Sequence, residues 1–300
     1  MAKVFENDEG QLSAANCVAY WTDPGPGGMT QAKLLFDPWS PIEGSYTNHA
    51  HRQTERVEHI HDNAVAGNFL HSDMPDFGGG TVYLFGRGPS LTANADILKH
   101  RDAPAIFLNH STGLLRPCQG DFVMLIDPQS EVPYVSKDVS LIATPAMPRS
   151  VVEAGWGHIF GVNMREPAPI NDWAKRLFPN LPLVSECLSV AVSAIHYAAL
   201  CGANRLVCCG MDFCCYSVQE TFDESLDTIG LGGEVVASEP HYKWTAMACA
   251  FMAMFALKHT GMETVNASGR GLFGVNVHEN KGNLFDWVEQ ADIKSLSKQN

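Results

Sequence analysis

In the stretch Thr81–Leu91, TVYLFGRGPSL, an apolar run stops abruptly at two glycines, a proline and a serine. The run Val82–Phe85 is typical of a short buried strand. After the turn, Thr92–His100 is predicted to form a helix, with Ser90 as a candidate cap near its start. The stretch therefore predicts a strand, a tight turn and a helix in succession.

The same alternation continues along the chain. Two helices are predicted with clear ends: Leu188–Cys201, which stops before Gly202, and Trp244–His259, which stops before Gly261. Strands that alternate with helices indicate an α/β fold, here a Rossmann-like, mostly parallel sheet with helices on both faces. The further predicted strands are Ala105–Leu108, Phe122–Ile126, Val139–Ala143, His158–Val162, Arg205–Cys209 and Glu263–Asn266.

The first part of the chain has a different character. Residues 1–45 are rich in glycine and proline and have little period, whereas residues 46–66 contain neither and are predicted to form a polar helix. We therefore divide the chain into an N-terminal extension, residues 1–75, and a Rossmann-like domain that binds a nucleotide donor, residues 76–300. Within that domain, residues 217–240 are polar, acidic and glycine-bearing, and they are predicted to form either a lid-like loop or a plain solvated loop.

Composition restricts the partners. The formal net charge is −13, from 20 basic and 33 acidic residues, which disfavours a protein that coats nucleic acid or an anionic membrane. The apolar run Trp244–Leu257 has the length of a buried helix and is too short to span a bilayer. The start of the sequence lacks the apolar core of a secretory signal, and the nine cysteines are odd in number, so we expect a cytoplasmic protein with reduced thiols. A small-molecule or glycan-precursor acceptor fits this character, and the sequence leaves homo-oligomerisation open.

The turn after the first strand is predicted to bind an anion. Ligands of such sheets bind at the carboxyl ends of the strands. Gly86 and Gly88 allow the backbone to bend and approach a ligand closely, and backbone amides around Arg87 would favour a phosphate. Leu91 stands where the dinucleotide fingerprint needs Gly or Ala, and no Gly-Lys-Ser/Thr follows, so neither standard phosphate motif is present. A tight strand-to-helix turn without a ligand is the alternative.

Polar residues also follow other strands. Asn109 follows the second strand, Asp127 the third, and Asp212 the strand Arg205–Cys209. A carboxylate just past a buried strand is well placed to bind a hydroxyl group or Mg²⁺ beside phosphates. Each aspartate alone could equally cap a helix or turn.

The sequence contains other histidines and cysteines that could bind a metal, but their spacing gives less support for a site. The His-x-His pairs of His49 with His51 and of His59 with His61 lie in a predicted helix, where residues two apart point in different directions. The four cysteines of the CCGMDFCC stretch, residues 208–215, do not have the usual zinc spacing. We therefore predict no metal site from these residues.

Three segments in this order resemble a known family. They are GRGPSL (86–91), DFVMLIDP (121–128) and LSVAVSAIHYAALCGANRLVCCGMDF (188–213). The set is similar to the archaeal 6-hydroxymethyl-7,8-dihydropterin pyrophosphokinase-like proteins, a family that includes motility-associated flagellin glycosylation factors and is related to bacterial sialyltransferases that use a CMP-sugar donor. The resemblance covers roughly residues 80–275, and it implies a Rossmann-like fold and a nucleotide donor. Residues 185–189, SECLS, depart from the Gly/Ser-rich stretch that precedes this helix in many relatives.

The resemblance also implies roles for individual residues. Asp127 and Asp212 match the family's Asp-Pro and Gly-x-Asp positions, as catalytic residues and Mg²⁺ ligands, and His241 falls where the sialyltransferases carry their general base. The positions implied to bind the nucleotide or its phosphates are Gly86, Arg87, Gly88, Pro89, Ser90, Asn109, Tyr216, Tyr242, Asn266 and Ser268.

Three functions follow from these observations. The Asp-Pro match favours transfer of diphosphate from ATP to a hydroxymethyl or hydroxyl acceptor, with Mg²⁺ held by Asp127 and Asp212. The alternative is a sialyltransferase-like glycosyltransferase with a CMP-sugar or other nucleotide-sugar donor, with His241 as base and no metal. The third is a binding or structural protein that retains the fold without the chemistry.

Overall fold

The computed structural model describes residues 17–21, 32–36, 38–39, 53–67, 70–128, 134–165, 169–185, 189–215, 226–277 and 283–293. Its strands are β1 (Cys17–Trp21), β2 (Ala32–Phe36), β3 (Thr81–Phe85), β4 (Ala105–Leu108), β5 (Phe122–Leu125), β6 (Ser140–Ala143), β7 (Ile159–Gly161), β8 (Asn163–Met164), β9 (Leu183–Val184), β10 (Arg205–Cys209), β11 (Leu226–Ile229), β12 (Val235–Ser238), β13 (Glu263–Asn266) and β14 (Val288–Gln290). Its α-helices are α1 (Gln53–Ala66), α2 (Pro89–Leu98), α3 (Arg149–Val152), α4 (Pro169–Leu177), α5 (Val190–Leu200) and α6 (Pro240–Thr260).

The central element is an eight-stranded sheet in the order β14-β13-β10-β3-β4-β5-β6-β7, and each of its pairings is parallel. Alternate side chains of β3 and β4 enter two different cores. Leu84 and Ile106 pack with α5 and α6 on one face, and Phe85 and Phe107 pack with α2 on the other. This arrangement confirms the predicted α/β fold with helices on both faces.

The predicted elements of the sheet agree closely with those observed. β4, β10 and β13 have the predicted bounds, and α2 and α6 begin earlier than predicted, at Pro89 and Pro240. Proline is compatible with the first helical turn, where its missing N–H would have no partner within the helix. α6 ends at Gly261, whose φ of 78° is a left-handed conformation that glycine adopts without strain.

Two regions contain short strands that were not predicted from the sequence. Residues 226–238 of the predicted loop contain an antiparallel hairpin of β11 and β12, with Gly232 and Gly233 at positive φ in its turn. The extension, predicted to be irregular, contains a second hairpin of β1 and β2. β11 and β12 mix polar and apolar residues, and β1 and β2 lie in a stretch rich in glycine and proline, so neither hairpin stood out in the sequence pattern.

The extension packs against the helical face of the domain. The ring of Trp39 stacks on His259 of α6, with centroids 5.1 Å apart, and meets His196 of α5 edge-on at 4.7 Å. His196 is buried, and its Nδ1 accepts a hydrogen bond from the Ser185 amide at 2.9 Å. It is therefore a satisfied core histidine. Among the residues described, no helix has the length and apolar character to cross a bilayer.

Candidate functional site

A cavity of about 810 Å³ opens at the carboxyl ends of β3, β4, β5 and β10. Its walls come from the turn after β3, the residues that follow β4, β5 and β10, and the first turns of α5 and α6. This is the position where open parallel sheets bind their ligands, at the crevice outside the strand ends. The sequence-based expectation of a site at this edge of the sheet agrees with the position of the cavity.

The glycine turn after β3 is packed against the backbone that follows β10. A Cβ atom on Gly86 would lie 2.3 Å from the Gly210 carbonyl oxygen, and one on Gly88 would lie 1.9 Å from Asp212 Oδ2. The Gly86 amide donates to the Cys209 carbonyl at 2.9 Å, and the Gly88 amide donates to the Gly210 carbonyl at 2.7 Å. The close approach that excludes side chains is therefore made by the protein itself, and these two amides already have protein partners.

Ser90 and Asp212 are part of the same packing. Asp212 is fully buried, and its Oδ2 accepts hydrogen bonds from Ser90 Oγ at 2.7 Å and from the Ser90 amide at 3.3 Å. Ser90 Oγ also accepts a hydrogen bond from the Gly210 amide at 2.9 Å. Neither Ser90 nor Asp212 lines the cavity. Both residues were predicted from the sequence to lie in the site. In the structure, their hydrogen bonds instead join the end of β10 to the start of α2.

Asp127 and Asn109 do line the cavity, as the sequence predicts. Asp127 is exposed, and it follows β5. Asn109 has a φ of 45°, a left-handed conformation that is uncommon outside glycine but tolerated by asparagine. A strained residue at a strand end that faces a cavity is typical of a functional site.

Positive potential in the cavity comes from helix termini and two arginines. The first turns of α5 and α6 line the cavity, and so does Gly88, the N-cap residue of α2. Ser189 caps α5, with its Oγ accepting a hydrogen bond from the Ala191 amide at 3.2 Å. The side chains of Arg56 and Arg87 add two positive charges. Helix amino termini and arginines together favour a phosphate or another anion.

His241 and Tyr242 lie in the first turn of α6, at the mouth of the cavity. His241 Nδ1 is 2.9 Å from Glu239 Oε2, and the His241 and Tyr242 rings are 4.0 Å apart. Burial, followed by the nearby Glu239 and Cys215, raises the pKa of the Tyr242 hydroxyl, while Arg87 lowers it. Tyr242 is therefore a neutral hydrogen-bond donor at physiological pH, within electrostatic range of Arg87.

The remaining predicted residues are placed outside the cavity or outside the described part of the chain. Asn266 is fully buried, and its Nδ2 donates to the Phe273 carbonyl at 3.0 Å and to Gln290 Oε1 at 2.9 Å. Its Oδ1 accepts a hydrogen bond from the Ser268 amide at 3.0 Å. Asn266 and Ser268 therefore organise the turn after β13. Pro89 forms the first residue of α2, and Tyr216 lies outside the described residues.

Sequence reasoning missed several residues of the cavity. Arg56 comes from α1 of the extension, a polar helix that gave no sign of contact with the domain. Two further lining residues were also missed: His110, which directly follows Asn109, and Thr245, which lies one helical turn after His241. The Ser189 cap was the one available signal, since serine before an apolar run marks a helix start.

The residues present do not fit an Mg²⁺ site shared by Asp127 and Asp212. The Asp212 carboxylate is fully buried and is bonded to Ser90, whereas Asp127 is exposed at the end of another strand. Mg²⁺ needs oxygen ligands around one accessible point, usually with several waters retained. Among the residues described, the cavity offers Asp127 as its carboxylate.

The comparisons with known proteins bear on the fold. No family model and no curated protein matches this sequence. A solved structure that it resembles is the MAf glycosyltransferase from Magnetospirillum magneticum AMB-1, with a TM-score of 0.60 and 15% sequence identity. The match covers 83% of this chain but 39% of that protein, so the chain corresponds to well under half of the relative's length. The chain therefore shares its fold with part of a glycosyltransferase, which supports the Rossmann-like fold that the resemblance implied.

Proposed function

We propose that this protein is a glycosyltransferase that uses a nucleotide-sugar donor, a CMP-sugar or another. The observation that carries the proposal is the cavity at the carboxyl ends of β3, β4, β5 and β10, in which helix termini and two arginines supply positive charge. Its volume of about 810 Å³ is large enough for a nucleotide-sugar. The shared fold with the MAf glycosyltransferase is consistent with this choice.

The charge pattern favours glycosyl transfer over diphosphate transfer. Diphosphate transfer from ATP needs Mg²⁺ to neutralise the β- and γ-phosphates. The arrangement of Asp127 and Asp212 does not fit a shared Mg²⁺ site, whereas Arg87, Arg56 and the helix termini can balance the phosphate of a departing nucleotide without a metal.

In the proposed reaction an acceptor hydroxyl oxygen attacks the anomeric carbon of the donor sugar. The bond between that carbon and the nucleotide phosphate oxygen breaks, and the nucleotide leaves with the negative charge. His241 takes the acceptor proton at Nε2, because Nδ1 faces Glu239, which orients the ring. The Tyr242 hydroxyl and Arg87 would donate hydrogen bonds to the leaving phosphate, and Asp127 would position the acceptor.

Diphosphate transfer is the second candidate, and the exposed Asp127 in the cavity favours it. In that reaction Asp127 would hold Mg²⁺ through one carboxylate, with the remaining ligands from water and from the phosphates of ATP. A non-catalytic protein that binds the same anionic ligand is the third.

The test is release of free nucleotide from a panel of CMP-, UDP- and GDP-sugars and from ATP, with and without EDTA. Donor hydrolysis by water reports on the site without a known acceptor. We expect one nucleotide-sugar to be hydrolysed in EDTA, with a rate at least about a hundredfold lower in His241→Asn. His100→Asn, an exposed histidine outside the cavity, serves as the matched control and should retain the rate.

The other outcomes separate the candidates. Turnover of ATP that EDTA abolishes would replace the glycosyltransferase with a diphosphate transferase. A nucleotide that raises the melting temperature, with no turnover of any donor, would indicate a binding protein. Equal rates in His241→Asn and the unmodified protein would remove His241 as the base.

A further inference from the structure

A cluster of two histidines and one aspartate lies at the outer edge of the sheet, away from the cavity. Its members are His71, Asp73 and His158, and one ligand atom from each lies within 4.8 Å of the others. His158 directly precedes the edge strand β7, and none of the three residues lines the cavity. The cluster therefore has no part in the proposed reaction.

The backbone holds the two histidines in register. The His71 amide donates to the Ile159 carbonyl at 2.9 Å, and the Gly161 amide donates to the His71 carbonyl at 2.8 Å, so His71 forms a parallel bridge with β7. The two imidazole rings stack with centroids 4.3 Å apart and planes inclined by 23°. The His158 ring also packs against Phe160 at 4.3 Å, which limits its rotation.

Asp73 completes the cluster from the same segment as His71. His158 Nε2 is 3.4 Å from Asp73 Oδ1. Ligand atoms bound to one tetrahedral Zn²⁺ at about 2.0–2.1 Å lie roughly 3.3 Å apart. The histidine–aspartate pair already has this spacing. The His71 ring would turn out of its stack on His158 to aim a ring nitrogen at the same point.

We propose that His71, Asp73 and His158 bind one divalent transition-metal ion of the Zn²⁺ class. Two imidazoles and a carboxylate form a ligand set suited to such ions, and water would fill the fourth position. The ion would join the segment that leads into β3 to the edge strand β7. It would thereby stabilise the junction between the N-terminal extension and the sheet, where the backbone bridges His71 and Phe160.

The test is titration of the full-length, tag-free, metal-free protein with Zn²⁺, followed by calorimetry and by thermal unfolding. We expect one Zn²⁺ per chain and a rise in melting temperature of about 5 °C at a hundredfold excess over the dissociation constant. His71→Ala and His158→Ala should each lower the affinity at least about tenfold, since loss of a residue that only supports a metal ligand already has that effect. Asp73→Asn should lower it while preserving the shape of the side chain.

Matched controls distinguish this site from incidental binding. His61 is exposed and its Nδ1 lies 3.4 Å from Asp62 Oδ1, so it is a histidine–aspartate pair that belongs to no three-ligand cluster in the described structure. His61→Ala and Cys118→Ser, which removes an exposed thiol, should leave Zn²⁺ affinity unchanged. The proposal is overturned if no Zn²⁺ binds, or if binding survives His71→Ala and His158→Ala, or if it depends on Cys118. Equal melting temperatures of the metal-free variants will show that loss of binding does not come from misfolding.

Discussion

The ends of β5 and β10 look alike in sequence and differ completely in structure. Each strand ends in an apolar run, and each is followed within three residues by an aspartate. Asp127 after β5 is exposed and lines the cavity. Asp212 after β10 is fully buried, and its Oδ2 accepts two hydrogen bonds from Ser90.

The difference comes from the neighbouring strand. β10 pairs with β3, so the glycine turn that follows β3 lies directly over the end of β10 and covers Asp212. β5 pairs with β4 and β6, and the residues after it leave Asp127 open to the cavity. A carboxylate at a strand end is therefore a ligand candidate only if the turn after the adjacent strand leaves it uncovered.

The largest expected loss of stability comes from adding a methyl group to the glycine turn that covers the end of β10. In Gly86→Ala the new Cβ would meet the Gly210 carbonyl oxygen at 2.3 Å, and backbone cannot yield as the tip of a side chain can. We expect the free energy of unfolding in urea to fall by at least about 3 kcal/mol. Gly113→Ala, at a glycine with open space around its Cβ position, should change it by less than about 0.5 kcal/mol. Similar values for the two variants would contradict the packing of β3 against β10.

A direct comparison of the two aspartates comes next. Asp212→Asn replaces a buried carboxyl group that accepts two hydrogen bonds from Ser90, and we expect it to lower the free energy of unfolding by about 2 kcal/mol. Asp127→Asn, at an exposed position, should change stability by less than about 0.5 kcal/mol while it alters turnover of the donor. Urea unfolding and the nucleotide-release assay measure the two properties separately. If Asp127→Asn were the destabilising change, the assignment of the two roles would be reversed.

The same contrast shows what could be predicted from the sequence. Hydrophobic runs of strand length predicted β3, β4, β10 and β13, and thereby the edge of the sheet at which the cavity lies. These runs carry no information on strand order, and it is the pairing of β10 with β3 that buries Asp212. Arg56 and the stacked pair His71 and His158 were missed for a related reason, because residues distant in sequence meet only through tertiary packing.

A substitution of Arg87 tests the side of the glycine turn that faces the cavity. Its exposed side chain lines the same cavity as Tyr242. Loss of a charge-assisted hydrogen bond to phosphate in Arg87→Ala should weaken binding of the donor's nucleotide about tenfold without loss of stability. Calorimetry with the nucleotide identified in the release assay measures the affinity of the variant and of the unmodified protein. Arg149→Ala, which removes an exposed arginine paired with Glu153, is the matched control and should bind as the unmodified protein does.

The smallest expected effect is a loss of stability at alkaline pH from the buried thiol of Cys209, at the end of β10. Burial raises the pKa of the Cys209 thiol from 9.0 to about 12, although the Ser90 side chain, through a hydrogen bond, lowers it. The unfolded thiol ionises from about pH 9 while the folded thiol stays protonated, so the unfolded state loses protons first. The stability that this thiol contributes is therefore complete well below pH 9 and is lost as the pH rises toward 12, with about 1.4 kcal/mol lost at pH 10.

Urea unfolding of the unmodified protein and of Cys209→Ala at pH 8 and pH 10 measures this contribution. Cys209→Ala should be less stable at pH 8, because it leaves a small cavity, but its stability should fall less between the two pH values. The buried Cys201, whose pKa burial raises to about 12, contributes a similar fall that both proteins share. Cys118→Ser, at an exposed thiol, should leave the pH dependence unchanged. An equal fall in the unmodified protein and in Cys209→Ala would mean that the end of β10 admits water, and that the contrast with β5 is weaker than the packing indicates.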